Sequence, residues 1–364
     1  MKFLFVGTSR GSSGAEVHFV VLARALAAAG HTVEAVVRPD RPMAQALAGS
    51  GVRLHYGVFR NVLDPRGYRA TMAAARQLRP DWLVGGFGKE YWPLVLLGRP
   101  LGARVALFRH STKQLKWLSR QGLPRLAQRF ITVSEFARRH SIENGIPAER
   151  VQFLYNSVDT DEYRPNPEQG AALRRQLGLA EDAIVLGYVG RIRADKGVFT
   201  LFDAACDVMA QEPRLHCLWI GHGPDHDQFR QHVEAHALAD RHHMAGWIRD
   251  RDLPAYYNAM SIAALPSTIP ETFGRVLAEA QACGVPVLGS DYAGMREAVQ
   301  HEVTGLLLPP DDKNAWRDAI VRLCDPAVRQ PMAQAARPFV QEHFSAPVVI
   351  ECFETLLQEV DHRA

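Results

Sequence analysis

The feature that most constrains this fold is a twice-repeated succession of short apolar runs and amphipathic helical stretches. In the first half, the apolar runs predict strands at Lys2–Gly7, Thr32–Val37, Val52–Tyr56, Trp82–Gly85, Val105–His110 and Phe130–Val133. Between them, helical spacing of apolar residues predicts helices over Gly14–Ala29, Met43–Gly49 and Gly67–Leu78. Nearly continuous apolar strands that alternate with helices are typical of a parallel sheet covered on both faces. The first half is therefore predicted to be a doubly wound α/β domain.

The alternation is interrupted once, at residues 164–167. Two prolines in four residues disfavour both helix and strand, and 364 residues exceed an ordinary domain, so a boundary is predicted there. The predicted parts are residues 1–163, residues 164–344 and a C-terminal helix, residues 345–364, that returns toward the first domain. In the second part, strands are predicted at Ala183–Gly190, Leu215–Gly221, Met244–Trp247, Ile262–Leu265 and Pro286–Ser290, with helices from Val198, Asp225, Leu253 and Arg275. Two such Rossmann-like domains are expected to face each other across a cleft that holds the ligand.

The charge is distributed unevenly along the chain. Residues 1–160 hold 23 basic against 10 acidic residues, whereas residues 161–364 hold 19 against 29. This asymmetry predicts an anionic partner for the first domain. No nucleic-acid-binding motif accompanies the charge, so an anionic membrane surface or acceptor is expected instead of nucleic acid.

Neither a membrane span nor a secretory signal is predicted. No run approaches the ~20 apolar residues of a spanning helix, and the N-terminal run Met1–Gly7 suits a buried strand better than a signal peptide. A cytoplasmic location is therefore expected, with possible peripheral attachment to the inner face of the cell membrane. The five cysteines form no CxxC pair, and no metal is predicted from them.

Two acidic residues stand out in residues 265–287, LPSTIPETFGRVLAEAQACGVPV. A strand ends near Pro266, a loop carries Glu271, and Glu279 lies in the helix that begins near Gly274. Free N–H groups at a helix start suit an anionic or hydroxyl-rich ligand, and a carboxylate accepts hydrogen bonds from vicinal hydroxyls. The alternative is that Glu271 only caps the helix and Glu279 lies on a solvated face.

Two cations occupy a similar position in residues 187–197, GYVGRIRADKG. Arg191 and Lys196 lie in a glycine-bounded loop after a strand, where they suit two linked phosphates and favour departure of a diphosphate. The alternative is a solvated turn, and Arg193 is expected to be surface charge.

These segments resemble the motifs of the retaining glycosyltransferase family 4 (glycosyl transferases group 1, GT-B fold), as found in bacterial polysaccharide and lipopolysaccharide synthesis. The resemblance covers nearly the whole chain and is most specific over residues 187–310. It implies that Glu271 contacts the donor sugar, Glu279 the nucleotide ribose, and Arg191 and Lys196 the diphosphate. It also implies roles for the residues after Glu271, namely Thr272, Phe273 and Gly274.

The resemblance implies further contacts. The loop Gly7–Glu16 resembles the family's first glycine-rich loop and makes Gly11, Gly14 and Glu16 candidates, a plain flexible turn being the alternative. His110 ends an apolar strand where relatives often carry a catalytic histidine. The end of another strand resembles the segment that grips the base through backbone atoms, at Gly246, Trp247 and Ile248.

The implied activity is a metal-independent transfer of sugar from a UDP- or GDP-sugar to a glycan or lipid-linked acceptor, by attack on the same face as the leaving group. A nucleotide-sugar epimerase and a non-catalytic nucleotide-sugar binder are the alternatives. Three Asp-x-Asp triplets (Asp159–Asp161, Asp225–Asp227 and Asp250–Asp252) are interpreted as turns and helix caps rather than metal ligands.

Residues 113–130 interleave basic and apolar side chains, which predicts contact with an anionic membrane surface; an ordinary basic helix over the sheet is the alternative. Two segments depart from the family pattern. Arg275 replaces an apolar residue, and residues 291–297, DYAGMRE, lack the usual Gly-Gly-x-Pro-Glu form. Both flank the implied donor site, and Arg275 is expected to meet additional negative charge on the donor.

Overall fold

The computed structural model describes residues 1–11 and 13–359 and divides the chain into two compact units. The first contains residues 1–157 and the C-terminal helix, and the second contains residues 158–345. The division falls a few residues before the proline-rich stretch because residues 158–163 pack with the second unit. Arg337 donates to the carbonyls of Thr160 and Tyr163, each at 3.0 Å, and the Tyr163 ring lies 5.9 Å from that of Tyr257.

The first unit is built on a seven-stranded parallel sheet of order β3-β2-β1-β4-β5-β6-β7. The strands are β1 Lys2–Gly7, β2 Thr32–Val37, β3 Arg53–Tyr56, β4 Trp82–Gly85, β5 Arg104–Arg109, β6 Arg129–Thr132 and β7 Gln152–Phe153. The helices are α1 Gly14–Ala28, α2 Pro42–Leu47, α3 Pro65–Leu78, α4 Gly88–Leu101, α5 Trp117–Leu126 and α6 Glu135–Glu143. Alternate residues of β1 enter different cores, Phe3 and Phe5 on one face and Leu4 and Val6 on the other, so both faces are covered as predicted.

The second unit repeats this plan with a six-stranded parallel sheet of order β10-β9-β8-β11-β12-β13. The strands are β8 Ile184–Val189, β9 Leu215–Ile220, β10 His242–Gly246, β11 Ile262–Leu265, β12 Val287–Ser290 and β13 Gly305–Leu308. The helices are α7 Pro167–Gln176, α8 Val198–Met209, α9 His226–Glu234, α10 Leu253–Ala259, α11 Arg275–Ala282, α12 Met295–Ala298, α13 Lys313–Cys324 and α14 Pro326–His343. The predicted class, two doubly wound α/β domains, is confirmed.

The last helix, α15 Ala346–Gln358, belongs to the first unit. It places Val349, Ile350, Phe353 and Leu357 in the same core as Phe3 and Phe5 of β1. The end of the predicted C-terminal segment, residues 360–364, lies outside the described residues. In the part of the chain that the structure describes, none of the helices has the length and apolar character needed to cross a bilayer.

Two helices of the first unit were not predicted from periodicity. Helix α4 contains Pro93, Gly98 and Pro100, which obscure its helical pattern, yet tertiary packing buries Tyr91, Leu94 and Leu97. Helix α6 has few apolar residues and begins with a cap instead, in which the Ser134 hydroxyl accepts from the N–H of Ala137 at 3.0 Å.

Candidate functional site

The second unit changes strand order between β8 and β11, the position at which ligands bind in open α/β sheets. Two loops leave the carboxyl ends of these strands there, one over residues 190–197 and the other over residues 266–274. Three observations fix them to each other. Both the N–H and the hydroxyl of Thr268 donate to the carbonyl of Asp195 at 3.0 Å. Gly197 has φ of 70°, and a Cβ at this position would lie 2.0 Å from the carbonyl oxygen of Pro266, so only glycine fits.

This arrangement brings Lys196 and Glu271 together, as the two sequence segments suggested. The Lys196 ammonium donates to Glu271 Oε1, and both side chains remain partly exposed. Arg191 is exposed, and its guanidinium has no hydrogen-bond or ion-pair partner within the described residues. Arg193 pairs with Asp195 instead, in agreement with its expected role as surface charge.

Glu279 is buried, which agrees with the apolar residues around it in the sequence. Its side chain has no exposed surface; it pairs with Arg275 one turn earlier in α11 and accepts from the Tyr257 hydroxyl at 2.8 Å. Burial raises the pKa of Glu279, while the Arg275 charge acts in the opposite direction. A solvated face, one alternative for Glu279, is therefore wrong. Arg275, expected to meet charge on the donor, is already paired with this carboxylate and is 12% exposed.

The remaining candidates of the second unit occupy strand and helix ends. Phe273 is buried against the Phe344 ring at 5.0 Å, so its side chain belongs to the core. Gly274, with φ of 88°, caps α11, and Thr272 precedes them in the loop. Gly246 ends β10, two strands from β8, and is followed by Trp247, 60% exposed, and by the partly buried Ile248.

The first unit changes strand order between β1 and β4. The glycine-rich loop lies after β1, and Glu16 closes it, because its buried carboxylate accepts from the hydroxyls of Ser9 and Ser13. Gly11 and Gly14 are exposed, Gly14 being the first residue of α1. Ser12, in the middle of the loop, lies outside the described residues.

His110 follows β5, the strand next to β4. Its ring contacts that of His18 edge-on, with centroids 5.1 Å apart, and its Nε2 has no hydrogen-bond partner within the described residues. Burial lowers the pKa of His110 to about 4, so the imidazole is neutral at pH 7.

The sequence analysis missed a polar network centred on Thr8. The N–H and hydroxyl of Thr8 donate to Glu90 Oε1 at 3.0 and 2.6 Å, and its carbonyl accepts from Lys89 Nζ at 2.8 Å and Arg38 Nε at 3.2 Å. Glu90 is fully buried. The available signal was Lys89 and Glu90, two adjacent charged residues shortly after the buried strand β4.

The second and third Asp-x-Asp triplets lie at helix starts, as predicted, but their side chains do not cap these helices, whereas the first triplet forms the predicted turn. Asp225 and Asp252 occupy N-cap positions without a side-chain cap, because the Asp225 carboxylate instead accepts from the N–H of Ala194 at 2.7 Å and Asp252 pairs with Arg249. Asp159 accepts from the backbone of the turn that it begins. Within residues 1–11 and 13–359, no group of three or more His, Cys, Asp or Glu side chains is arranged to hold a metal ion.

Comparisons with known proteins place both units in one group. Residues 170–338 match the family model "Glycosyl transferases group 1", and residues 12–162 match the model "Glycosyltransferase Family 4".

Among curated proteins, the D-inositol 3-phosphate glycosyltransferase of Thermobispora bispora is 31% identical over 67% of this chain and 61% of its own length. The corresponding enzyme of Kribbella flavida is 35% identical over 53% of this chain and 47% of its own length. The alpha-D-kanosaminyltransferase of Streptomyces kanamyceticus is 28% identical over 72% of each chain. The match therefore spans less than two thirds of either inositol 3-phosphate enzyme.

Among solved structures, Anabaena HepE in complex with UDP-glucose matches 99% of this chain and 100% of its own, with a TM-score of 0.84 and 22% identity. A glycosyltransferase from Rickettsia africae matches 100% of this chain and 99% of its own, with a TM-score of 0.85 and 18% identity. At these identities, the likeness shows that the fold is that of these proteins.

Proposed function

This chain belongs to glycosyltransferase family 4, and on that premise we propose that it moves a sugar from a nucleoside diphosphate sugar to an acceptor with retention of configuration. The observation that carries the proposal is the Lys196–Glu271 pair at the strand-order change of the second unit, together with Arg191 of the same loop, whose guanidinium has no ion-pair partner within the described residues. Two cations and a carboxylate in these loops suit a diphosphate and a sugar ring.

Each group has a defined role in this reaction. Arg191 and Lys196 stabilise the negative charge that grows on the departing diphosphate, which lowers the barrier without a metal ion. Glu271 is acceptor-only and suits the hydroxyls of the donor sugar. Retention without a covalent intermediate requires the acceptor to attack from the face that the diphosphate leaves, and a diphosphate oxygen takes the acceptor proton. His110 of the first unit, which is neutral at pH 7, is the remaining proposed catalytic residue and offers a hydrogen bond to a substrate bound by that unit.

The nucleotide of the donor is proposed to be UDP or GDP. UDP is the first to assay because HepE was crystallised with UDP-glucose. For the acceptor, the family resemblance favours a glycan or lipid-linked intermediate of cell-surface polysaccharide or lipopolysaccharide synthesis. The names of the curated relatives favour a small phosphorylated polyol. Both classes belong in the acceptor panel.

A surface of the first unit supports peripheral membrane attachment. Trp117, Leu118 and Leu126 of α5 are 65%, 67% and 45% exposed, beside the exposed Lys113 and Lys116. The exposed surface is shorter than the predicted stretch 113–130. Phe130 is buried in β6, and Arg129 is buried as well and donates to the carbonyl of Leu356. Exposed aromatic and basic side chains suit an anionic bilayer surface.

Flotation with anionic vesicles at low salt tests this attachment. Wild type should float, and Trp117→Ala/Leu118→Ala should stay behind. Equal recovery of both proteins with the vesicles would contradict the assignment of this surface.

The activity is tested by incubating the full chain with UDP- and GDP-sugars, with and without acceptors, and measuring nucleotide release and product. Acceptor-dependent release of nucleoside diphosphate and a product with the donor's anomeric configuration are expected. Interconversion of donor sugars without acceptor would identify an epimerase. Donor binding without release of nucleotide by any acceptor would identify a non-catalytic binder. Either result would overturn the proposal.

A further inference from the structure

The strand-order change of the first unit collects cations from four successive strand ends. Arg10 follows β1, Arg38 and Arg41 follow β2, Arg60 follows β3, and Lys89 follows β4. Thr8 ties these segments together, since its carbonyl accepts from Arg38 and Lys89 and its hydroxyl accepts from the N–H of Phe59 at 3.0 Å. Two cations that share one carbonyl oxygen are held close together by the fold.

Few acids balance this charge. Within residues 1–11 and 13–359, none of the four arginines forms an ion pair, and Lys89 lies 3.8 Å from Glu90, which is fully buried. Other nearby acids are engaged elsewhere: Asp64 pairs with Arg66, and Glu16 accepts from two serines. Asp40 is exposed and forms no ion pair in the described chain. The cluster therefore carries a net positive charge.

The cations also act on one another. The pKa of Arg38 is lowered by its partial burial and by the charges of Arg10, Arg41 and Arg60. Like charges gathered without partners raise the energy of the folded chain, and an anion that binds among them removes this repulsion. Guanidinium groups in particular bind phosphate through paired N–H donors.

We propose that Arg10, Arg38, Arg60 and Lys89 form a binding site for a phosphate group carried by the acceptor. Only the identification of the phosphate carrier as the acceptor rests on the proposed function. There, Arg191 and Lys196 of the second unit already supply cations for the donor diphosphate. Two kinds of acceptor could supply this phosphate ester: a soluble phosphorylated sugar or polyol, and a phosphate-linked polyprenyl lipid.

Titration calorimetry on the full chain tests the site with inorganic phosphate alone. Arg10→Gln/Arg60→Gln should weaken phosphate binding by about tenfold or more, since charge-assisted hydrogen bonds are lost. The side chains of Arg10 and Arg60 are exposed and make no hydrogen bond within the described residues, so this variant keeps the fold. Lys89→Gln should act in the same direction, with circular dichroism as the check on folding.

Arg76→Gln is the matched control. Arg76 is an exposed arginine of the same unit but lies in the last turn of α3, which leads back to the amino end of β4 and thus to the opposite edge of the sheet. Its phosphate affinity should equal that of wild type. An equal loss in the control and in the double variant, or no loss in either, would overturn the site.

Separate titrations with UDP distinguish the failure of this inference from failure of the proposed function. Unchanged UDP binding with weakened phosphate binding in Arg10→Gln/Arg60→Gln supports an acceptor site, and an equal loss of both assigns the cluster to the donor and overturns it. Absence of both UDP and GDP binding in wild type, measured in the same way, would instead refute the proposed function alone. Transfer to sugar phosphates, polyprenyl phosphate in vesicles and the matching neutral acceptors then names the source; equal transfer to the phosphorylated acceptors by wild type and variant overturns the role.

Discussion

The two units carry the same kind of sheet and differ in how they treat charge at the point where strand order changes. In the second unit most cations have an acidic partner: Lys196 pairs with Glu271, Arg275 with Glu279, and Arg193 with Asp195. In the first unit the cations outnumber the acids, and the buried Glu90 is satisfied mainly by hydrogen bonds from Thr8.

This difference has a physical consequence for each unit. A cation paired with a carboxylate fixes the position of both side chains, so under the proposed function the second unit offers a preorganised set of groups to the donor. Unpaired cations at strand ends attract an anion over a longer distance and discriminate less by geometry. The two proposals together assign a structured donor site to the second unit and an electrostatic surface for an anionic acceptor to the first.

The largest effect is expected from breaking the buried pair of the second unit. Glu279→Ala leaves the largely buried Arg275 guanidinium without a counter-charge and the Tyr257 hydroxyl without an acceptor. Removing one partner of such a pair costs about 3–5 kcal/mol, which urea denaturation should show as a lower free energy of unfolding.

Two variants sharpen this result. Arg275→Met/Glu279→Leu should recover most of the stability, because an apolar replacement of a buried pair is often neutral. Glu181→Ala, at an exposed acid of the same unit, is the control. A stability equal to wild type in Glu279→Ala would show that the ion pair contributes nothing.

Lys196→Ala is expected to lower turnover by about 10²–10³-fold, the typical cost of removing one group that stabilises a developing negative charge. Arg193→Ala removes a cation from the same loop that is already paired with Asp195, and should change turnover by less than about threefold, a cost below ~1 kcal/mol. Initial rates with saturating donor measure both. Similar losses in the two variants would indicate a general charge effect of the loop rather than a specific contact.

The fold could be predicted because buried parallel strands are almost continuously apolar, and β1, β8 and β11 are buried throughout apart from the first residue of β1. Helix α4 could not, since prolines and glycines hide its period and only packing against the sheet stabilises it. Lys196 and Glu271 were found because each follows a strand whose carboxyl end lies at the same edge of one sheet.

The Thr8 network escaped prediction for a different reason. Arg38, Phe59 and Lys89 are separated by 21 and 30 residues, and only the strand order β3-β2-β1-β4 brings them to one threonine. The pairing of Glu279 with Arg275 likewise escaped prediction, because this spacing occurs on exposed helices as well and does not indicate a buried ion pair.

Acid should destabilise both units alike. Burial lowers the pKa of His110 in the first unit and of His242 in the second to about 4. The unfolded chain therefore takes up protons first, and the stability these neutral rings support is lost as pH falls from about 6.5 to about 4. His110→Asn and His242→Asn should each reduce the loss of unfolding free energy over this pH range by about 1–3 kcal/mol, because each variant removes one of the two lowered pKa values.

Denaturation at pH 7 and pH 4.5 measures this effect, and His343→Asn, at an exposed histidine, is the control. If the unfolding free energy falls with pH as steeply in both variants as in wild type, other groups dominate the destabilisation by acid. A change in only one of them would show that the two units differ in acid sensitivity as well as in charge pairing.

The smallest effect is expected at Glu90, the buried acid of the first unit that lies nearest its cations. Burial raises the pKa of Glu90, and Oε1 alone accepts both donors of Thr8, while Oε2 has no hydrogen-bond partner within the described residues. Glu90→Gln keeps an oxygen for Thr8 and removes the acid nearest Lys89, so stability should change by less than about 1 kcal/mol and phosphate affinity should rise about two- to fivefold. Glu90→Leu removes the acceptor and should cost about 1–3 kcal/mol. If Glu90→Gln weakens phosphate binding in calorimetry, the buried carboxylate organises the cations more than it opposes them, and the contrast between the two units is smaller than their ion pairs suggest.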